Sequence, residues 1–197
     1  MEAALRALSR ARGGAFRTSE ALARGVHPRD LYRLRDDGAL ERVSRGVYRF
    51  AGRPALAYPD LVTVALRVPR AVVCLVSALH LHGLTGEIPR EVSIALPAGT
   101  KAPALAWPPL RVYRFSGELF ELGVERRVLD GVPVRVYGAA RSVIDAFRFR
   151  RRLGLEVALE ALRAGLARRA FTPAELLALA RRCRAAGVIR PYLESLA

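Results

Sequence analysis

Residues 14–50, GAFRTSEALARGVHPRDLYRLRDDGALERVSRGVYRF, constrain this chain more than any other stretch. A short helix is expected first, capped by Thr18 or Ser19, because a hydroxyl oxygen satisfies free backbone N–H groups of the first turn. Glu20 to Arg24 continue it with Ala21 and Leu22 as apolar positions. Gly25 ends it, since glycine takes the left-handed conformation that terminates helices. Val26 turns the chain inward, and Pro28 stands where a first helical residue would, its fixed φ already suitable. A second helix is predicted from about Pro28 to Asp37, burying Leu31 and Leu34 and stopping at Gly38. Two β-like runs follow, Leu40 to Val43 and Gly46 to Phe50, around Ser44-Arg45-Gly46. Two short helices joined by a turn of about three or four residues that contains glycine form a helix-turn-helix, and the hairpin after them is a wing.

The flanks extend this pattern. Residues 2–12 place Ala4, Leu5 and Leu8 on one helical face and Arg6, Arg10 and Arg12 elsewhere, the first helix of a three-helix core. Gly13-Gly14 breaks that helix, and Ala15-Phe16-Arg17 suits the short edge strand that completes a winged sheet. A linker, AGRPALAYPD, puts a domain boundary between Ala51 and Pro59, hence a winged helix-turn-helix at 1–57 and a second domain at 58–197. In the second domain, helical patterns run over Asp60–Val68 and Ser77–His82, with a short β-branched run at Ala71–Leu75. Strands are predicted at Glu91–Leu96 and Leu110–Phe115, and Val124–Leu129 with Val132–Tyr137 flank the hairpin signal Asp130-Gly131. Helices are expected from Ala139 to about Phe149, from Leu155 to Arg169 and from the Thr172-Pro173 cap to about Ala186, with a final turn at Pro191–Leu196. The fold class is α+β, with a mixed α/β C-terminal domain and a helical tail.

The charge decides what such a fold would meet. A formal net charge of +15 and a pI near 11.3 call for a polyanionic partner. Residues 1–57 carry 12 Arg against 6 Asp or Glu, so the smaller domain is the more densely positive. No apolar run approaches the roughly 18 residues of a membrane span, and the N-terminus lacks a signal-peptide core. A soluble, cytoplasmic chain that meets nucleic acid rather than a membrane is therefore expected. Lys101 is the only lysine, which fits GC-rich coding or a hot habitat and carries little functional weight.

With Leu31 and Leu34 buried, helical spacing turns Arg29, Tyr32, Arg33 and Asp36 outward. Arg29 and Arg33 suit bidentate contacts with guanine O6 and N7, each worth about 1–3 kcal/mol of discrimination. His27 can donate to a phosphate or a base. Arg17, Thr18 and Ser19 suit backbone phosphates, and Arg42 and Arg45 on the wing suit phosphates or the minor groove. The plainer alternatives are an ordinary solvated arginine face, or a winged fold that contacts protein.

Nothing in the sequence composes a catalytic site. His80 and His82 lie two apart, about 200° around a helix, which leaves packing or capping as their role. Glu118, Glu121, Glu125 and Asp130 read as solvated acids rather than as nuclease carboxylates. Cys74 and Cys183 read as small buried hydrophobes. No phosphate-cradling glycine loop or G-x-S-x-G motif is present, so no enzyme, cofactor or metal is expected. The cluster Arg148, Arg150, Arg151 and Arg152, with Arg141 and Arg163 nearby, is a solvated helix end, an extra DNA-backbone contact or a surface for an acidic protein.

Three blocks carry a family resemblance. The first is FRTSEALARGV (Phe16–Val26) with LYRL (Leu31–Leu34) and the wing GALERVSRGVY (Gly38–Tyr48). The second is SALHLHGL (Ser77–Leu84) followed by Pro89 and VSIALP (Val92–Pro97). The third is GVPV from Gly131, leading to RSVID (Arg141–Asp145). In this order the chain resembles the AbiEi-type antitoxins of abortive-infection toxin–antitoxin systems. The resemblance implies a repressor that binds inverted repeats of double-stranded DNA in its own promoter, as a dimer or as cooperating monomers. It also implies a C-terminal domain carrying antitoxin activity against a neighbouring nucleotidyltransferase-like toxin. Some relatives are orphan regulators, and others carry a nuclease-like extension, which is not expected here.

Overall fold

The computed structural model describes residues 1–11 and 14–195. Arg12 and Gly13, expected at the end of the first helix, and Leu196, expected in the last turn, lie outside them. The architecture mixes helices and sheets, and the chain divides into two compact units. The first comprises Met1–Ala71 with Pro103–Pro109 and Arg126–Val134, and the second comprises Val72–Ala102, Leu110–Glu125 and Arg135–Ala197.

The first unit begins with α1 (Glu2–Ala11), whose Leu5 and Leu8 are fully buried. Next come β1 (Ala15–Arg17), α2 (Thr18–Leu22), α3 (Pro28–Asp36), β2 (Leu40–Ser44) and β3 (Val47–Phe50). Gly25, at φ +77°, makes the bend between α2 and α3. The strands pair antiparallel in the order β1-β3-β2, with Phe16 opposite Tyr48 and Leu40 opposite Phe50. A register shift between Arg42 and Ser44 leaves Val43 as an extra residue, a bulge that twists the hairpin near its tip. Leu5, Leu8, Phe16, Ala21, Val26, Leu31, Leu34 and Leu40 form one core beneath the helices. Leu22 is not part of it: it is 41% exposed, because the short α2 can turn only one face inward and Ala21 occupies that face. A second core joins Ala15 and Val47 to Val62 and Leu66 of α4 (Pro59–Arg67) and to Val132. That packing carries the compact unit beyond the 1–57 stretch. The Asp130 carboxylate also accepts from the Ala57 and Tyr58 N–H groups at 3.0 and 2.8 Å, fixing the chain where it enters α4.

Beyond α4 lie β4 (Val72–Val73), α5 (Leu75–Leu81), β5 (Val92–Pro97), β6 (Leu110–Phe115), α6 (Glu118–Glu121), β7 (Val124–Leu129) and β8 (Val132–Tyr137). The strand order is β6-β5-β4-β8-β7, with β5/β6 and β4/β8 parallel and β4/β5 antiparallel. Asp130 and Gly131 both have positive φ, +47° and +79°, as a two-residue hairpin turn demands. The helices are α7 (Ala139–Arg148), α8 (Arg150–Leu153), α9 (Leu155–Ala167), α10 (Pro173–Arg182) and α11 (Ala186–Glu194). Val143, Phe147, Leu162, Leu176 and Ile189 lie in the core they share. The sequence expectation of one helix to about Ala186 and then a turn is corrected: α10 stops at Arg182, Arg184 adopts φ +55°, and a separate helix follows with Pro191 inside it. No helix among the described residues is long and apolar enough to cross a membrane.

Candidate nucleic-acid interface

The helix caps of the first unit differ from the simplest expectation. Thr18 and Ser19 are the first residues of α2 rather than its cap, and Arg17 holds the cap position. The Glu20 carboxylate, at the third helical position, reaches back to accept from the Arg17 N–H at 2.9 Å. Thr18 holds the hairpin turn: its N–H donates to the Gly46 carbonyl at 2.9 Å and its hydroxyl to the same oxygen at 3.4 Å. His27 caps α3 by accepting from the Arg29 N–H through Nδ1 at 3.2 Å, which places the imidazole proton on Nε2 in the neutral ring. Only Nε2 is then left to donate outward.

The exposed stripe of α3 is the one the spacing predicts. Arg29, Tyr32, Arg33 and Asp36 are all exposed, while Leu31 and Leu34 are buried. Arg33 approaches Asp30 at 3.3 Å on the solvent side, an ion pair worth little in water and readily exchanged for another anion. Arg35 bonds Asp36 at 2.8 Å and stacks its guanidinium 5.2 Å from the centre of the Tyr32 ring. The adjacent Asp36 carboxylate raises the Arg35 pKa.

A cleft of about 510 Å³ opens between this helix and the hairpin, lined by Thr18, Tyr32, Arg35, Arg42, Arg45, Gly46, Tyr48 and Arg67. Four guanidinium groups and no carboxylate line it, a composition suited to an anion with several acceptor oxygens. Of the residues singled out from the sequence, the cleft gathers Thr18, Tyr32, Arg42 and Arg45. Arg17, Ser19, His27, Arg29 and Arg33 lie outside its lining. Arg17 is half-buried, with Nε 3.7 Å from Glu20. Arg35, Tyr48 and Arg67 line the cleft without having been anticipated. Tyr48 had a legible signal, since it faces Arg42 across the hairpin. Arg35 sits three residues after Tyr32, but the outward set on α3 left it aside. Arg67 had no local signal: it reaches the hairpin from the last turn of α4, donating to the Arg45 carbonyl at 3.2 Å.

Several of the remaining chemistry-bearing residues are tied into the structure. Arg141 does not belong to a surface basic cluster: it and Asp145 are fully buried, joined Nε to Oδ2 at 2.9 Å. Its Nη1 donates to the Leu119 carbonyl at 2.9 Å and to that of Leu122, and its guanidinium lies 4.3 Å from the Tyr137 ring centre. Burial pushes the Asp145 carboxyl above the ordinary range, against the pull of Arg141 and Arg148. Arg150 donates to the Phe147 carbonyl, while Arg151, Arg152 and Arg163 are exposed. His82 Nε2 bonds the Tyr137 carbonyl at 2.8 Å, and His80 is exposed. Glu121 pairs with Arg135 at 2.6 Å, and no group of His, Cys, Asp and Glu among the described residues is arranged to hold a metal. Cys74 and Cys183 are buried free thiols, with burial raising the pKa of each.

Comparisons with known proteins bear on the fold and on the first block of residues. No curated protein sequence matches the chain. Its structure is similar to the crystal structure of the RV2827C protein from Mycobacterium tuberculosis, over 85% of this chain and 76% of that one. The TM-score is 0.50 at 16% sequence identity, a likeness of fold. Residues 3–51, the three helices and three strands that build the cleft apart from Arg67, match the family described as transcriptional regulator, AbiEi antitoxin.

Proposed function

We propose that the first unit is a winged helix-turn-helix that binds double-stranded DNA, and that the protein is a cytoplasmic transcriptional repressor acting as the antitoxin of an AbiE-like pair. The observation that carries this reading is the arginine-lined cleft beside the exposed stripe of α3, within a stretch that matches the AbiEi regulators. In this mechanism α3 enters the major groove, with Arg29, Tyr32 and Arg33 toward base edges and His27 at its start. Arg42 and Arg45 of the wing, with Arg17, Thr18 and Ser19, contact phosphates. The target is an inverted repeat in the protein's own promoter, met by two copies of the chain. The residues 1–57 provide the DNA contact, and residues 58–197 the antitoxin activity against a nucleotidyltransferase-like toxin. No catalytic step is assigned. A regulator without a toxin is the second reading, favoured by the family match ending at residue 51.

The test is fluorescence anisotropy with the protein's own upstream region. Saturable binding that exceeds binding to a scrambled duplex, and that weakens steeply with salt, is expected. Equal affinity for both duplexes sinks the repressor reading. Co-expression with the product of an adjacent nucleotidyltransferase gene separates antitoxin from orphan regulator: relief of growth arrest is the antitoxin result.

A further inference from the structure

We propose that Arg67 is a phosphate-binding residue of the DNA interface, so that α4 contributes to DNA binding from beyond the stretch that matches the regulator family. The inference rests on the DNA-binding reading given above. Three observations carry it. Arg67 lines the same cleft as Arg35, Arg42 and Arg45 although it lies 22 residues from the wing tip. Its Nη1 donates to the Arg45 carbonyl at 3.2 Å, and no other partner of its side chain is found among the described residues. A guanidinium has five N–H donors, so most remain for a ligand. The wing tip is also closed around it. A Cβ at Gly46 would stand 3.0 Å from Arg67 Nη1 and 3.7 Å from Thr18 Oγ1, so the turn is held between these two side chains.

The chemistry selects a phosphodiester. Arg67 is exposed, it is anchored at one N–H rather than neutralised by a carboxylate, and its neighbours in the cleft are guanidinium, phenol and hydroxyl groups. A DNA phosphate offers two unesterified oxygens, and the planar fork of a guanidinium matches both. Because the same group steadies the Arg45 carbonyl, the wing and the phosphate contact are set by one side chain.

Arg67→Gln and Arg67→Lys together separate contact from scaffolding. Glutamine loses the charge and, two bonds shorter, the Arg45 contact as well, whereas lysine keeps the charge and a donor of nearly the same reach. With full-length protein, Arg67→Gln is expected to weaken binding to the upstream duplex and to a scrambled duplex by similar factors, roughly tenfold near 0.1 M salt, and to flatten the slope of log Kd against log salt by about one. Arg67→Lys should keep the wild-type slope and Tm. Arg181→Gln, an equal charge change on α10, should leave the slope unchanged. An Arg67→Gln slope equal to that of the wild type, at any affinity, overturns this inference and leaves the DNA-binding reading standing. Wild-type protein that does not prefer its own upstream duplex overturns the reading on which it rests.

Discussion

Replacing Arg141 by Met should destabilise the second unit strongly at neutral pH and much less in mild acid. Arg141 and Asp145 are both fully buried and bonded at 2.9 Å, and Arg148 reaches the other carboxylate oxygen at 3.4 Å. Removing Arg141 strands a buried carboxylate with only the partly exposed Arg148 nearby, and breaking a buried pair from one side costs about 3–5 kcal/mol. The carbonyls of Leu119 and Leu122 lose their donor as well, about 1 kcal/mol or more each. Methionine fills part of the space, which places the total nearer 4 than 6 kcal/mol, a fall in Tm of the order of 10–20 °C. The pH dependence follows from linkage. In the wild type, burial already holds the folded-state pKa of Asp145 above its unfolded value. Ionising it therefore weakens the native state, and the stability it contributes is complete below the unfolded pKa and lost as pH rises through the folded one. Without Arg141 the folded pKa rises further, so the variant's deficit should be full at pH 7 and shrink as pH falls toward 4.5. Urea unfolding of the full-length wild type and variant, followed by circular dichroism at both pH values, gives the comparison. A deficit equal at the two pH values refutes the stranded-carboxylate account and leaves packing as the cause.

Other positions test separate links. Arg33→Ala should relax base preference by about 1–3 kcal/mol, whereas Arg45→Ala should weaken all duplexes alike with a shallower salt slope, and identical behaviour in a binding-site selection would merge the two roles. Gly165→Ala should destabilise by about 1–3 kcal/mol although alanine is the better helix former. A Cβ there would lie 2.3 Å from the Phe171 ring, and a rise in the urea midpoint would refute that packing. Thr172→Ala should cost about 1 kcal/mol, because its hydroxyl accepts from the Glu175 N–H at 3.2 Å at the start of α10. Hydrogen bonds from the Thr172 N–H and hydroxyl hold the Glu175 carboxyl below its ordinary pKa. That support is present above the unfolded pKa and fades as pH falls through the folded one, so the threonine variant should show a flatter loss of stability in acid.

Much of the N-terminal architecture was legible because its signals are local. Gly25 and Pro28 punctuate the chain by their own backbone limits, and the leucine pair of α3 needs only helical periodicity to reveal an inward and an outward face. The Asp130-Gly131 turn is similarly self-contained, and the strands on either side of it span the expected residues. The misreadings arise where several solutions satisfy one local requirement. The hydroxyls of Thr18 and Ser19 suggested a cap, but the chain enters α2 one residue earlier, at Arg17, whose own N–H is held by the Glu20 carboxylate. The tail continued as one helix in the pattern, but an arginine in the left-handed region broke it, a conformation to which arginine lends no sequence signal.

Sequence alone therefore determined the element types up to the tail, apart from the short α6 and α8, together with the outward stripe of α3 and a net charge of +15, all properties of residues close in the chain or of their sum. Tertiary structure alone decided which arginines do what. Arg141 is buried beside Asp145 while Arg151 and Arg152, a few residues on, face water, and no count of arginines distinguishes them. Arg67 reaches the hairpin turn only because Val62 and Leu66 pack α4 against the sheet that carries Arg45. Charge is written residue by residue, but its environment is set by whatever the hydrophobic cores bring alongside it.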